Sequence, residues 1–440
     1  MTALDVVTAA LDRVTADEVN AFTVVTADAA LEAAREVDAG TRRGPLAGVP
    51  ISVKDHVWVA GLPATNGSRA LTDFVAPRSA ACVERLVAAG AIIVGKTNNP
   101  EFCYRGTTDN DLYGVTRNPR DPSRTAGGSS GGAAASVAAG LVPLAVGTDG
   151  GGSIRIPSAF CGTYGLKPTF GLVPKMPGFR GWPTLSVTGP IAGSVRDLAL
   201  ALSVMAGPAG ADWLSGPTLA TPDYLAAVET PSWAGLRVAV SEDLGFADLD
   251  LDVRSAFRTA VDATRVSGAE IVDVRPPADD PGPLWDAIAL PEGYASEGRL
   301  VEEHPDLVGA DAASITLAGA GTSSRAYLDA QEARARYAEA WARFFAEVDV
   351  LLAPAMPVTA FPLGRLAPET IGGKPVPASF DGWCALALPA NLAGLPSTCV
   401  PIGTGYDGLP VAAQVMGARW ADATVLRAAA LVDAAVTARA

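Results

Sequence analysis

The chain has 440 residues, of which 49% are hydrophobic and 18% charged. That proportion supplies a large apolar core and excludes a disordered chain. A net charge of −14 argues against a nucleic-acid partner, because binding a phosphate backbone rests on Lys and Arg neutralising it.

The five cysteines (Cys82, Cys103, Cys161, Cys384 and Cys399) are scattered, odd in number and without a C-x-x-C pair. Neither a disulfide framework nor a zinc site is expected, and a reducing compartment fits better. Residues 1–20 carry Asp5, Asp12, Asp17 and Glu18 and lack a basic segment followed by an apolar one, so no secretory signal is expected there. The most apolar window, 133–146, is too short to span a bilayer and is broken by Gly140 and Pro143. These features predict a soluble cytoplasmic protein with no membrane association.

Residues 1–37 read as helices, with Leu4, Val7, Leu11 and Val14 at helical spacing. A loop over 41–50 precedes a buried strand over 49–54. Ser79 is placed to cap a helix running to Ala89, and 91–95 is the next strand. Strand, helix, strand in that order predicts a βαβ unit with parallel pairing. Residues 96–119 form a polar loop, and such a segment often walls a pocket. A helix over 133–139 and a strand over 141–146 follow, then a loop-like stretch over 165–190 and a helix over 194–205. Strands are expected at 236–240, 270–274, 348–353 and 409–414, and helices at 253–266 and 423–436. Residues 301–333 resist assignment, and 381–384 begin a loop or helix. No internal repeat or linker is evident, so residues 1–440 are expected to form one α/β domain.

Two clusters of serine and glycine organise this chain. They are Gly127-Gly128-Ser129-Ser130-Gly131-Gly132 and Thr148-Asp149-Gly150-Gly151-Gly152-Ser153. Glycine is poor in helix and strand interiors, so such clusters need a reason. Successive amides can converge into an anion-binding nest, and serine supplies a nucleophile or proton relay. Lys54 closes an apolar strand, although burying an unpaired ammonium is costly. Together these features point to a serine hydrolase that does not use histidine.

With these residues in view, the chain resembles the amidase signature family. The matching segments are Gly-Val-Pro-Ile-Ser-Val-Lys54-Asp55, the first cluster, and the second cluster continued through Ile154-Arg155-Ile156-Pro157-Ser158 to Gly162. Gly95-Lys96-Thr97-Asn98 and Gly408-Leu409-Pro410-Val411-Ala412-Ala413-Gln414 also match. Coverage is strong over about 41–197 and again over about 380–435. The resemblance implies a large twisted mixed β-sheet surrounded by helices and a Ser-cisSer-Lys triad. Ser153 would be the nucleophile, Ser129 the proton shuttle after a cis bond from Gly128, and Lys54 the base. Burial lowers a lysine's pKa and favours the neutral form such a base needs. The oxyanion hole would be the N–H groups of Gly150, Gly151, Gly152 and Ser153.

Ser130 is read either as support for Lys54 or as a helix cap, and Asp149 and Arg155 as ties for the loop. The pocket is placed at Asn98, Tyr104, Trp182 and Trp383. An apolar, aromatic lining would favour aryl or aliphatic amides. The expected partner is a small-molecule amide, with no metal or organic cofactor; a homodimer is left open.

Three rivals are kept. A G-x-S-x-G match at 127–131 suggests an α/β-hydrolase elbow, with His304 as the remaining base candidate. Residues 90–97 match G-x-x-x-x-G-K-[ST], a nucleotide-binding pattern, though the middle positions read as strand. The third is the amidase component of a tRNA-dependent glutamine amidotransferase, with the same chemistry and partner subunits.

Overall fold

The described residues of a computed structural model are 1–216, 222–377 and 381–439. They build an eleven-stranded mixed sheet from Phe22–Val25 (β1), Pro50–Lys54 (β2), Ile92–Thr97 (β3), Leu144–Asp149 (β4), Tyr164–Lys167 (β5), Val187–Ala192 (β6), Arg237–Val240 (β7), Glu270–Val272 (β8), Val350–Pro354 (β9), Ser397–Thr404 (β10) and Pro410–Gly417 (β11). The strand order is β1-β3-β2-β4-β6-β5-β10-β11-β9-β7-β8. β2 runs parallel to both β3 and β4, and β7 runs parallel to β8 and β9. The strands between these two parallel groups pair antiparallel. The expected large mixed sheet with helices on its faces is therefore what the chain forms.

Alternate residues of a strand point to opposite faces, and the core follows that rule. Leu144 and Val146 join one apolar cluster with Val350 and Leu352, under the helices Val195–Met205, Leu251–Val266 and Asp422–Thr437. On the opposite face Ala145 packs beneath Gly131–Ala138, and Leu351 and Ala353 beneath the helices Gly282–Glu303 and Ser324–Glu347. Pro50–Lys54 is buried throughout, as a central parallel strand requires.

Several local expectations are corrected. Ser79 does not cap the next helix; that helix is Ala81–Ala88, and the Ser79 hydroxyl accepts from Ala60 N–H instead. β1 is a four-residue edge strand between two helices, and its shortness hides it from the sequence pattern. The supposed loop over 165–190 contributes β5 at one end and β6 at the other, where Gly165, Gly189 and Pro190 mask the strand pattern. β10 is obscured in the same way, at Pro401 and Gly403. Residues 301–333 are largely helical, and Asp381–Cys384 is a short helix. The strand expected over 141–146 starts at Leu144. Among the described residues, no helix is long and apolar enough to cross a membrane.

Gly189 marks a tight crossing in the sheet. A Cβ there would lie 2.2 Å from the Leu166 carbonyl oxygen, a backbone atom that cannot turn away. Gly189→Ala should therefore destabilise the fold by about 1–3 kcal/mol, the usual cost of overpacking. Thermal unfolding should show a lowered midpoint; an unchanged midpoint would contradict this account of the β5–β6 crossing.

Candidate active site

Parallel pairing of β2 with β4 carries Lys54 and Thr148 to the same end of the sheet. Lys54 Nζ donates to Ser129 Oγ at 2.7 Å and to Thr148 Oγ1 at 2.9 Å. The amine is fully buried and forms no ion pair among the described residues. Burial pushes its pKa below the ordinary lysine range; the charges of Cys103, Asp149 and Asp55 oppose that shift without cancelling it.

Ser129 stands at the turn before the helix Gly131–Ala138, and the Gly128–Ser129 peptide bond is cis. Gly128 is pressed against the chain: a Cβ there would meet the Thr107 carbonyl oxygen at 2.4 Å. Ser130 neither bonds Lys54 nor caps the helix with its side chain. Its hydroxyl donates to Thr148 O at 3.1 Å and accepts from Thr148 N–H at 3.2 Å. β2 pairs with β4 only as far as Val146, so a serine hydroxyl replaces the missing strand at Thr148.

Beyond β4 the chain turns through 150–153, and Asp149 organises the turn. Its carboxylate accepts from the N–H groups of Gly152 and Ile154 and from Arg155 Nε and Nη2. Asn391 donates to the same carboxylate and to the Asp149 carbonyl. Arg155 also reaches Asn391 Oδ1 and Gln414 Oε1. Burial alone would raise the Asp149 pKa; the Arg155 guanidinium overrides it and holds the carboxyl well below the usual range. Asp149 and Arg155 thus tie the loop from both sides. One expectation is corrected here: Gly152 N–H is already committed to Asp149 at 2.8 Å, so it is not an available oxyanion donor. The N–H groups of Gly150, Gly151 and Ser153 have no acceptor among the described residues.

Ser129 and Ser153 line one small cavity of about 20 Å³, together with Tyr104 and Trp182. Tyr104 and Trp182 are stacked at 5.1 Å and 15°, and both also line a larger cavity of about 310 Å³. Trp285, Ala289, Leu290 and Ile315 make its other walls mostly apolar. Arg105 at its edge is paired with Asp109 and Asp311. Asn98 and Trp383, expected on the pocket wall, line neither cavity. Asn98 is buried in a polar brace, donating to Gly114 O and Thr116 Oγ1 and accepting from Asn110. Trp383 stacks on Phe160 within a separate aromatic cluster and donates to Leu366 O.

Two rivals lose their structural basis. His304 is exposed at the end of the helix Gly282–Glu303. Lys96 of the phosphate-loop match lies inside β3, where its buried amine donates to Asp55 O and Pro63 O. His56 borders the small cavity with Nδ1 paired to Asn66 Oδ1. Burial, chiefly, pushes its pKa down to about 4, with Lys54 acting the same way whenever it is protonated, which keeps the imidazole neutral.

Several site residues escape sequence reasoning. Thr148 is the second partner of Lys54, Asn391 clamps Asp149, and Trp285 donates to Gly150 O. Glu297 is buried against Tyr104, whose hydroxyl donates to it, and burial pushes its carboxyl up to about 7. Trp285, Ala289, Gly293 and Glu297 recur every fourth residue on one helix, and that stripe is the available signal.

The chain as a whole is similar to proteins already known. The Amidase family profile matches residues 5–426. An acylamidase of Rhodococcus erythropolis is 40% identical over 423 residues, covering 93% of this chain and 86% of that protein. One of the subunits of the glutamyl-tRNA(Gln) amidotransferase of Chloroflexus aurantiacus is 39% identical, covering 97% of this chain and 92% of that protein. Among solved structures, a bacterial aryl acylamidase of the amidase signature family superposes with a TM-score of 0.90 at 30% identity, covering 99% of this chain and 93% of that one. With a serine–serine–lysine cluster at the sheet end and a profile match over nearly its whole length, the chain belongs to the amidase signature family.

Proposed function

We propose that this amidase hydrolyses the C–N bond of a small, largely apolar carboxamide through an acyl-enzyme on Ser153. The observation that carries this reading is the 2.7 Å hydrogen bond between Ser129 and a buried lysine without a counter-ion. A neutral Lys54 takes a proton from Ser129, which takes one from Ser153 as its Oγ bonds to the substrate carbonyl carbon. The negative oxygen that forms is met by the N–H groups of Gly150, Gly151 and Ser153. Collapse breaks the C–N bond, and the shuttled proton returns through Ser129 to the departing amine. Water then attacks the ester carbonyl, giving a proton through Ser129 to Lys54; the acyl C–O bond breaks, and that proton returns through Ser129 to the leaving Ser153 Oγ as the carboxylic acid departs.

The larger cavity supports an uncharged acyl or amine group. Glutamine, the donor in an amidotransferase, carries a carboxylate and an ammonium, and Arg105 is already held by two carboxylates. The amidotransferase reading keeps its support in the relatives that carry that name, and it requires partner subunits. The site draws on residues from Lys54 to Gln414, which supports reading residues 1–440 as one functional unit.

Lys54→Ala should lower kcat by about 10²–10⁴-fold, the range of a lost general base, with thermal unfolding little changed. Lys54→Arg should be equally inactive, since a guanidinium does not deprotonate. Unchanged turnover in either variant would remove Lys54 from the mechanism. A fluorophosphonate should modify Ser153, read by peptide mass spectrometry; modification of Ser129 alone would reverse the two serines. An anilide or benzamide should exceed glutamine in kcat/KM by about 100-fold or more, because the cavity walls are mostly apolar and Arg105 is already paired. A preference for glutamine in a hydrolysis assay would favour the amidotransferase reading.

A further inference from the structure

Resting on that reading, we propose that Trp285 is a positioning residue of the oxyanion hole, acting through the peptide unit between Gly150 and Gly151. Trp285 Nε1–H donates to the Gly150 carbonyl oxygen at 3.1 Å. A peptide unit is planar, and in the trans form its carbonyl and its N–H point in opposite directions. Holding the Gly150 oxygen on one side therefore aims the Gly151 N–H to the other, and that N–H has no acceptor among the described residues. The same bond polarises the peptide and strengthens its N–H as a donor.

Packing fixes the unit from a second direction. The Trp182 indole lies over Gly150 so closely that a Cβ there would meet its ring at 2.4 Å. Trp182 and Trp285 meet edge to face at 4.9 Å and 81°. Gly150 is thus the contact on which two indoles converge: its lack of a side chain admits the Trp182 ring, and its carbonyl oxygen meets Trp285. Three glycines in sequence make a flexible turn, and an indole pinned in a helix supplies the rigidity that turn lacks.

Trp285 is also a wall of the larger cavity, so the test must separate wall from positioner. Trp285→Phe keeps an aromatic wall and removes the N–H. Labelling of Ser153 by a methyl and by a phenyl-bearing fluorophosphonate should slow by the same factor, about ten-fold or more, as expected when a buried acceptor loses its donor. For an amide substrate kcat should fall by that factor while KM stays within about two-fold. Slowing confined to the phenyl reagent, or a rise in KM with kcat unchanged, would make Trp285 a wall only and overturn the proposal. If the phenylalanine variant loses cooperative unfolding, benzothienylalanine at position 285 preserves the ring shape without the N–H and is judged by the same outcomes. Absence of Ser153 labelling in the unaltered enzyme would instead sink the underlying acyl-enzyme reading, so the two failures are distinguishable.

Discussion

The amine of Lys54 lies inside the sheet with two hydroxyls for partners and no carboxylate paired to it. Burial disfavours its charged form, and Cys103, Asp149 and Asp55 offset that only in part, so the balance favours the neutral amine. One carboxylate that might have neutralised the ammonium is Asp149, at the same end of the neighbouring strand. Arg155 claims that group, with Asn391 and the backbone N–H groups of Gly152, Ile154 and Arg155 completing its shell. Two buried polar systems therefore sit side by side. One is a saturated ion pair that shapes a turn; the other is a buried amine whose pKa burial lowers. The proposed reaction requires that they stay separate.

The turn explains why glycine recurs with a different reason at each place. Gly150 admits the Trp182 ring. Gly152 has φ +116° and sits where a Cβ would press on Ala387 at 2.8 Å. Its N–H anchors the turn to Asp149, which leaves the flanking amides for a developing charge. The same carboxylate therefore shapes the nest and removes one donor from it.

Much of the site was legible because its chemistry is local in sequence. Two serine–glycine clusters and a lysine ending an apolar strand each break an ordinary rule of composition, and each lies at the proposed reaction centre. The sheet was legible where strands were apolar runs, as at Pro50–Lys54, and illegible where glycine or proline interrupted them, as at Val187–Ala192 and Ser397–Thr404. Asn391 and Trp285 were not legible because their roles depend on the strand order, which brings segments distant in the chain against the turn at 150. Asn98 misled for the converse reason. A polar residue beside the site looks like a pocket wall, but its amide is consumed by bracing the neighbouring loop. Gly152 shows a finer limit: composition announces a nest of amides without saying which of them is already bonded.

The protonation state of Lys54 tests this account most directly. Selective ¹³C and ¹⁵N labelling of lysine, with Lys54 assigned by its loss in the Lys54→Arg variant, would follow its titration by NMR. The account predicts a neutral amine through much of the range in which ordinary lysines, with pKa near ~10.4, remain charged. A Lys54 that titrates with the surface lysines would contradict it.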